Sequence, residues 1–548
     1  MAASLPSFSV TDFRLSPGAT FVRALGGDGS VATPYRITDA YGLQGLASTS
    51  LAGSRFVLAN DINASSSALW NSGTGFLSIG SLANPFTGRF DGQGHRISGL
   101  AINRPGSTYS GLFGYNAGYV GNLNLVGGSV AGGSYTGALV GYNAAAGMVE
   151  RVSSDTAVTG TGNVGALVDT NAGTLSESLA TGSASGGLNG GGLAGSNAST
   201  GIIRDSYATG SAQGSATAGG LVGFNDGSLL RVYSTGTASS SVGAVGGLVG
   251  SNVGTATGSF WNTTTSGLVQ GVGAGNGTGV SGLTSAQLSS LAPFVTAGWN
   301  IDDAGGTGAT WRMYEGHSAP LLRSFMTALS VSVGNASKTY DGSATSSTGA
   351  LVFPIGYDPS LLSGSAIYTA NSANVGTYSG ATLRLSGLYS TQFGYDISMG
   401  AGSLTVSKAP LTITASNASK TYGQTGGLSG FITSGLLASD QVSVVSLSSP
   451  GAASTAPAGT YAIVASNAQG QGLGNYDITY ADGLLTVIGS SPNTSVDSRL
   501  LQAQIVASHT REEHRRPVVA VNPVPTASVI DIPRLNVINQ GIRLPEGI

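Results

Sequence analysis

The sequence predicts an all-β chain: a parallel β-helix solenoid of about 27-residue repeats, then two β-sandwich modules and a partly disordered tail. Three observations predict it. A glycine-framed phrase returns six times between residues 110 and 252, a longer unit is duplicated between 335 and 487, and residues 490–548 carry prolines without any repeat.

The six phrases have a common form, Gly–Leu–Val–Gly–x–Asn or a close variant, as in GGLVGFN at 219–225. Short runs of Val, Ile, Leu and Tyr lie between the glycine corners, which is typical of strands. A unit of this size buries its apolar side only against copies of itself, so one coil per phrase is expected. Their closing asparagines lie 27, 28, 26, 28 and 27 residues apart: Asn116, Asn143, Asn171, Asn197, Asn225, Asn252.

Stacking turns equivalent residues into columns with a spacing of about 4.8 Å. The asparagines are predicted to form a hydrogen-bonded ladder that satisfies backbone groups at the corners. Leu175, Ile203 and Leu229 are predicted to form an inward, apolar column. We therefore assign 1–49 as an N-terminal segment, 50–107 as the β-helix entry region and 108–264 as the repeat β-helix.

Residues 265–327 are predicted to cap the solenoid, because an open solenoid end promotes aggregation. The stretch 260–325 holds Trp261, Trp299 and Trp311, three of the chain's four tryptophans, and is expected to cover the last coil. Beyond it, NASKTY occurs at both 335–340 and 417–422. The duplication predicts two small antiparallel β-sandwich modules, at 328–409 and 410–489.

The tail, 490–548, is predicted to be extended or partly ordered, with a short helix near 497–508.

The composition of the whole chain narrows the classes of function that it can have. Only 9% of residues are charged and the net charge is −3, which gives no general attraction to nucleic acid or anionic membrane. Cysteine is absent, so disulfides and Cys-ligated metals are excluded. Residues 1–20 show no signal peptide and no apolar run predicts a transmembrane helix.

Two resemblances follow from these motifs. The GGLVGxN and SYATG copies resemble GLUG repeats of large bacterial surface proteins, and FTGRFDGQGHRISGL resembles the segment that introduces them. The units that begin NASKTYDG and NASKTYGQ resemble MBG/YDG domains, β-sandwich modules of filamentous haemagglutinin-like adhesins. Together they cover about 50–489. The resemblance implies the C-terminal part of a larger secreted adhesin, or a truncated relative of one, exported through a two-partner outer-membrane transporter of a Gram-negative bacterium.

The sharpest catalytic candidate is a column that stacking builds from Arg151, Glu177, Asp205 and Arg231. Glu177 and Asp205 would lie in adjacent coils at about 5 Å, near the carboxylate separation of retaining glycosidases. The alternative is a solvated charge ladder in which the arginines relieve carboxylate repulsion. We favour the ladder, because adjacency of equivalent residues is automatic in a stack and no aromatic sugar platform accompanies the pair.

Three further clusters were weighed. Asp91, His95 and Arg96 resemble acid–base clusters of β-helix polysaccharide enzymes, and Asp91 with Asp61 suggests Ca²⁺, but the surrounding glycines favour turn-making. HTREEH at 509–514 resembles zinc protease motifs, yet its histidines are five apart where HExxH needs four.

Lys338 and Lys420, each in SKTY, suggest isopeptide chemistry with asparagine. The alternative, which we favour, is an exposed lysine that packs beside Tyr340 or Tyr422.

The sequence therefore predicts a non-enzymatic, extracellular or cell-surface adhesin fragment without catalytic, cofactor or metal residues. Adhesion or biofilm contact would use an extended polar face, and repetition would add avidity. The expected partners are a host-cell or matrix glycan or protein receptor and an outer-membrane transporter, with neither nucleic-acid binding nor integral membrane insertion. Two alternatives stay open: a β-helix enzyme that acts on surface polysaccharide or peptide, and a biofilm-matrix spacer without a receptor.

Overall fold

The computed structural model describes residues 5–16, 18–347, 349–437 and 439–490. The predicted tail helix near 497–508 and the HTREEH cluster lie outside these residues. The chain divides into two compact units. The first comprises Met1–Ile413, Thr433–Val445 and Asn467–Tyr480; the second comprises Thr414–Ile432, Ser446–Ser466 and the described residues from Ala481 onward.

The first unit contains a parallel β-solenoid with four walls, and its central coils each contribute strands to all four. Strands in neighbouring coils pair in parallel, with equivalent residues opposite one another. The first wall contains Ala101–Asn103, Ser129–Ala131, Ala157–Thr159, Ala184–Ser185, Ala212–Gly214 and Ala238–Ser240. The second wall contains Tyr109–Ser110, Tyr135–Gly137, Asn163–Gly165, Asn189–Gly191, Thr217–Gly219 and Ala244–Gly246.

The third wall follows the second after a corner in each coil, and it carries the asparagines. It contains Phe113–Asn116, Val140–Asn143, Val168–Asn171, Ala194–Asn197, Val222–Asn225, Val249–Asn252 and Val272–Gly275. The fourth wall contains Tyr35–Ile37, Arg55–Leu58, Ile62–Asn63, Arg89–Asp91, Arg96–Ser98, Tyr119–Val126, Met148–Ser154, Thr174–Ser176, Leu179–Ala180, Ile202–Arg204, Tyr207–Ala208, Ser228–Leu230, Tyr233–Ser234, Thr255–Thr257, Ser259–Asn262 and Val280–Leu283. The all-β solenoid with one coil per repeat is as predicted.

The fourth wall begins within the segment that we assigned as N-terminal, at Tyr35–Ile37. Helices Ala40–Gly45 and Trp70–Gly73 and 3-10 turns Thr49–Leu51 and Ser65–Leu69 accompany these first coils. Phe13, Tyr41 and Trp70 pack together there, with ring centroids 5.0–5.6 Å apart. This aromatic cluster joins the solenoid core, so the first coils are covered by bulky apolar side chains.

The predicted asparagine ladder is confirmed. From Asn116 to Asn252, each amide nitrogen donates to the amide oxygen of the next rung at 2.7–2.9 Å. All six side chains are fully buried, and the nitrogens also reach corner carbonyls such as that of Gly147. The predicted inward column is confirmed as well: Leu175, Ile203 and Leu229 are fully buried and lie in register.

The glycines of the repeated phrase are required by the corner between the second and third walls. A Cβ on Gly137 would lie 2.4 Å from the carbonyl oxygen of Val140, and one on Gly141 would lie 2.9 Å from that of Tyr135. Backbone atoms cannot yield as a flexible side chain can. The chain therefore turns sharply inward here, and this turn explains the spacing of the phrase.

The cap contains helices Thr263–Ser266, Ser285–Leu288 and Ala292–Thr296, strands Ile301–Asp302, Trp311–Arg312 and Leu321–Leu322, and the 3-10 turn Arg323–Phe325. Of its three tryptophans, Trp261 lies in the solenoid core, whereas Trp299 and Trp311 pack against Tyr233 on the outside of the fourth wall. There Tyr207, Tyr233 and Phe260 present an apolar outer column that these two tryptophans bury. The assignment of this segment as the end cap of the solenoid stays a prediction.

The first module lies in the first unit. Its strands are Thr327–Val333, Ala336–Thr339, Thr345–Ser346, Leu351–Val352, Ser363–Ala370, Gly376–Ser379, Leu383–Tyr389, Tyr395–Met399 and Ser403–Ser407, with 3-10 turns Pro359–Leu361 and Gly380–Thr382. The sandwich was predicted to be antiparallel, but its strand pairing is mixed. Thr327–Val333 runs parallel to Tyr395–Met399, because the long intervening chain returns to the same end of the sheet. Buried Asp396 ties the module to the cap through Arg312 at 3.2 Å and Arg323 at 2.6 Å.

The second module contains strands Ala409–Ala415, Ala418–Thr421, Phe431–Ser434, Gln441–Ser448, Gly459–Gln471, Tyr476–Ala481 and Gly483–Ile488, with 3-10 turns Pro450–Ala452 and Leu473–Asn475. Within the second compact unit, Gly483–Ile488 pairs in parallel with Ala418–Thr421 and antiparallel with the start of Gly459–Gln471. The predicted domain boundaries of the whole chain stay predictions.

Candidate functional site

The predicted charge column exists and has an unusual backbone. Arg151, Glu177, Asp205 and Arg231 occupy equivalent positions on the fourth wall. Glu177, Asp205 and Arg231 lie where the wall breaks into two short strands, whereas Arg151 lies within the continuous strand Met148–Ser154. All four have positive φ, from 45° to 53°, and Asn122 in the preceding coil has φ 54°. Positive φ is uncommon for residues other than glycine, with Asn and Asp the usual exceptions. The column is thus a series of left-handed corners that happens to carry charged side chains.

Asp205 is committed to its neighbours. Its carboxylate accepts two hydrogen bonds from the Arg231 guanidinium, at 2.7 and 2.8 Å. The indole nitrogen of Trp311 donates to it at 3.4 Å, and only 6% of the Asp205 side chain is exposed. The arginine relief that we predicted is confirmed, but the description of the ladder as solvated was wrong for Asp205. The cap strand that carries Trp311 covers this carboxylate.

Glu177 is half-buried beside the same column. Burial raises the pKa of its carboxyl, while the charge of Arg151 acts in the opposite direction. A retaining glycosidase needs a nucleophile and an acid that both reach the sugar. Since Asp205 lies under Trp311 and is bound by Arg231, this pair does not present two open carboxylates. The absence of catalytic residues nevertheless stays a prediction.

The entry-segment carboxylates form turns. Asp61 accepts from the backbone N–H of Arg96 and lies 3.0 Å from His95 Nδ1, and these contacts, the backbone bond first, lower its pKa. Asp91 accepts from the backbone N–H of Gln93 at 3.0 Å and from Asn122 at 2.9 Å. Turn formation, the interpretation favoured from the sequence, therefore accounts for each of these contacts.

The two SKTY lysines make carbonyl contacts. Lys338 donates to Asp341 at 2.6 Å and to the backbone of Thr345 at 2.9 Å. In the second unit, Lys420 donates to the carbonyls of Gln424, at 3.0 Å, and Ala453. The expectation of an exposed lysine was wrong, since Lys420 is 6% exposed and the Lys338 side chain 11%. Carbonyl oxygens at the bottom of each turn draw the ammonium inward.

The residues that sequence reasoning missed are four tyrosines on the outside of the solenoid. We call Tyr109, Tyr115, Tyr135 and Tyr142 the tyrosine face. Tyr109 stacks on Tyr135 with centroids 5.0 Å apart, and Tyr115 stacks on Tyr142 at 4.9 Å. The two stacks meet edge to face across the inward corner, at 5.5–6.3 Å. All four rings are half-buried.

The hydroxyls of the tyrosine face are available to a ligand. Among the described residues, no protein group hydrogen-bonds to any of the four. Burial, followed by the neighbouring phenols, raises the pKa of Tyr109 and Tyr142, so both remain protonated and can donate as well as accept. The signal in the sequence was a Tyr before the closing Asn in two consecutive phrases. It was missed because only the corner brings the two columns together.

A buried acidic side chain lies at the corner beside this face. Asp169 replaces, in GALVDTN, the second glycine of the phrase. It is fully buried and accepts from the backbone N–H of Thr136 at 2.6 Å and from the Thr170 hydroxyl at 2.7 Å. Burial raises its pKa well above the usual value. Asp169 therefore fills the corner with a buried, hydrogen-bonded polar side chain, one coil beyond Tyr142.

Where the structure describes the chain, neither a metal-binding cluster of side chains nor a membrane-spanning helix is found. In those residues, no group of three or more His, Cys, Asp or Glu side chains could hold a metal ion. Across the same ranges, no helix has both the length and the apolar character needed to traverse a bilayer.

Comparison with known proteins identifies one module. Residues 411–486 match the family model described as MBG domain (YGX type). The predicted MBG resemblance is thus confirmed for the second module. The GLUG and filamentous haemagglutinin resemblances stay predictions.

Two curated relatives share part of the sequence. Halomucin of Haloquadratum walsbyi is 34% identical over 170 residues, 30% of this chain and 2% of that protein. A candidate Gly-rich membrane protein of Evansella cellulosilytica is 38% identical over 133 residues, 23% of this chain and 15% of that protein. The chain thus spans only a small fraction of their length.

Among solved structures, a candidate immunoglobulin A1 protease from Bacteroides ovatus is 19% identical and covers 54% of this chain and 94% of its own, with a TM-score of 0.42.

Proposed function

We propose that the protein is an extracellular, surface-associated repeat protein that adheres to other surfaces through the outside of its solenoid, without catalysis. The observation that carries the proposal is the tyrosine face, where four half-buried rings present hydroxyls to which no group in the described part of the chain hydrogen-bonds. Tyrosine gives a large, rigid contact area with little loss of side-chain entropy, which suits a binding surface. Hydroxyl, amide and aromatic groups on the stacked coils would supply many weak contacts.

The non-enzymatic part of the proposal is supported by the state of the best carboxylate pair. Asp205 is bound by Arg231 and covered by Trp311, so it is not poised to transfer a proton or attack a substrate. Surface association is supported by the MBG match and by a partial relative that is named as a Gly-rich membrane protein. Assignment as a filamentous haemagglutinin-like adhesin, export through a two-partner outer-membrane transporter, a host or matrix receptor and a role in biofilm contacts belong to this proposal.

The test is adhesion of the purified whole chain to epithelial cells and to bacterial biofilm, measured as saturable binding of labelled protein. Binding that unlabelled protein displaces supports the proposal. A chain that coats neither surface would favour the spacer alternative.

The enzyme alternative is tested with the same preparation on bacterial polysaccharides and peptides. Release of reducing ends or new amino termini that Glu177→Ala abolishes would replace adhesion by hydrolysis. Glu150→Ala is the matched control, since Glu150 is on the same wall but outside the predicted pair.

A further inference from the structure

We propose that the tyrosine face binds an uncharged carbohydrate chain that lies along the solenoid axis. This inference rests on the proposed adhesive function and names the ligand class of that function. Its starting point is a pair of outward columns on the second and third walls. The first column runs from Tyr109 through Tyr135, Asn163 and Asn189 to Thr217. The second runs Tyr115, Tyr142, Thr170, Ser196, Phe224, Ser251.

The aromatic end of the columns provides flat apolar surface with polar rims. Each stack holds its two rings nearly parallel, at 14°. The edge-to-face contacts across the corner fix the stacks against each other, at 80–86°. Rings that are already ordered lose little freedom when a ligand arrives. A sugar has the matching character, because its C–H faces are apolar and its rim carries hydroxyls that pair with phenol oxygens.

The polar continuation of the columns provides donors and acceptors in the same line. Asn189 donates to Asn163 at 2.9 Å, and Thr217 donates to Asn189 at 2.7 Å, so these side chains are held in place along the axis. Because the coils repeat at about 4.8 Å, an extended chain that starts on the tyrosines would pass one such group per coil. A linear polymer of sugars can use this repetition, whereas a single small molecule cannot.

The charge of the two columns favours an uncharged carbohydrate over an acidic one. Neither column carries a charged side chain from its first tyrosine to its last residue. The acidic side chain beside them, Asp169, is fully buried and hydrogen-bonded to Thr136 and Thr170. An acidic polysaccharide would need arginine or lysine at the surface to offset the desolvation of its carboxylates. The columns offer none, so a neutral chain is favoured.

Size argues against a protein partner as the primary ligand. A stable protein interface buries about 800 Å² on each side around an apolar core. Apart from the four tyrosines and Phe224, the outward side chains of both columns are Asn, Ser and Thr. Such a strip has the polar side chains of an interface rim but lacks the apolar core of a protein interface. It has the composition that a hydroxyl-rich ligand requires.

The experiment uses the whole chain on a printed array of neutral and acidic oligosaccharides, with periodate-oxidised spots as a chemical control. Wild type should bind neutral glycans, and periodate should abolish the signal because it cleaves vicinal diols. Tyr135→Ala with Tyr142→Ala should weaken binding by about tenfold. Tyr135→Phe with Tyr142→Phe, which keeps the rings, should weaken it by a smaller factor. Tyr119→Ala is the matched control, a tyrosine held against Arg89 on the fourth wall, and should bind as wild type.

The outcomes separate this inference from the proposed function. If wild type binds cells, and both the phenylalanine pair and the alanine pair bind cells and glycans as well as wild type does, the tyrosine face is rejected as the binding site while adhesion stands. Cell binding that survives periodate but not protease treatment of the cells replaces the glycan by a protein receptor. Binding to acidic glycans alone overturns the uncharged class. A wild-type chain that binds neither cells nor glycans rejects both proposals.

Discussion

Removal of one interior rung of the asparagine ladder should cost more stability than any surface change of the same type. In Asn171→Ala the chain loses the hydrogen bond accepted from Asn143, at 2.8 Å, and the one donated to Asn197, at 2.9 Å. Each is worth about 1 kcal/mol net, and a buried oxygen left without a donor, here Oδ1 of Asn197, adds about 1–3 kcal/mol. We expect a local loss of about 3–5 kcal/mol.

Hydrogen–deuterium exchange with mass spectrometry measures this loss, because the opening free energy of peptides across the coil can be separated from the modules. The matched control is Asn163→Ala, a half-buried amide of the outer column that accepts a single bond from Asn189 at 2.9 Å. It should cost about 0.5–1 kcal/mol. Equal protection in the two variants would refute the ladder as a source of stability. A loss spread evenly over the solenoid and the modules would refute its local character.

Three further changes probe the corners. Glu177→Gly should stabilise the fourth wall by about 0.5–1 kcal/mol, because glycine adopts φ 45° without a steric penalty; exchange of its peptides measures this. Asp169→Asn should raise the melting temperature at pH 7 more than at pH 4: the folded carboxyl keeps its proton while the unfolded one releases it, which costs about 1.4 kcal/mol per pH unit between the two pKa values. Gly141→Ala should cost about 1–3 kcal/mol in the same melt, because its Cβ would press on backbone oxygens.

Each has its own contrary result. Glu150→Gly, on the same wall without positive φ, should destabilise, so a gain there would remove the backbone explanation for Glu177. A wild type whose stability does not fall relative to Asp169→Asn as pH rises would show that Asp169 ionises freely in the fold. Gly106→Ala meets no atom within 4 Å, and a loss equal to that of Gly141→Ala would contradict the close approach.

The repeat period was enough to predict much of the interior. Equal spacing of Asn116 to Asn252 places them at one corner of successive coils, and the ladder follows from parallel register. Contacts distant in sequence were not predictable. Asp205 is covered by Trp311, 106 residues later, and no local pattern announces that a cap strand lies on its wall. The burial of Lys420 likewise depends on a carbonyl 33 residues away, at Ala453.

The tyrosine face shows why an outer surface is harder to read than a core. Tyr109 and Tyr115 are six residues apart, a separation that in a straight strand would place them about 20 Å apart. The inward corner reverses this and brings the rings to 5.5 Å, and its geometry depends on glycines that a sequence shows only as turn signals. Period alone gives columns, whereas corner geometry decides which columns become neighbours.

The third phrase, GALVDTN, then acquires a meaning that repetition alone hides. It exchanges glycine for Asp169 and tyrosine for Thr170 in the same coil. The Asp169 carboxyl accepts a hydrogen bond from the backbone N–H of Thr136 at the corner. It also accepts one from the hydroxyl of Thr170, the residue that stands where the next ring of the stack would be. One coupled change therefore ends the aromatic part of the face and begins its polar part. If a sugar chain binds here, this coil is where stacking gives way to hydrogen bonding along the chain.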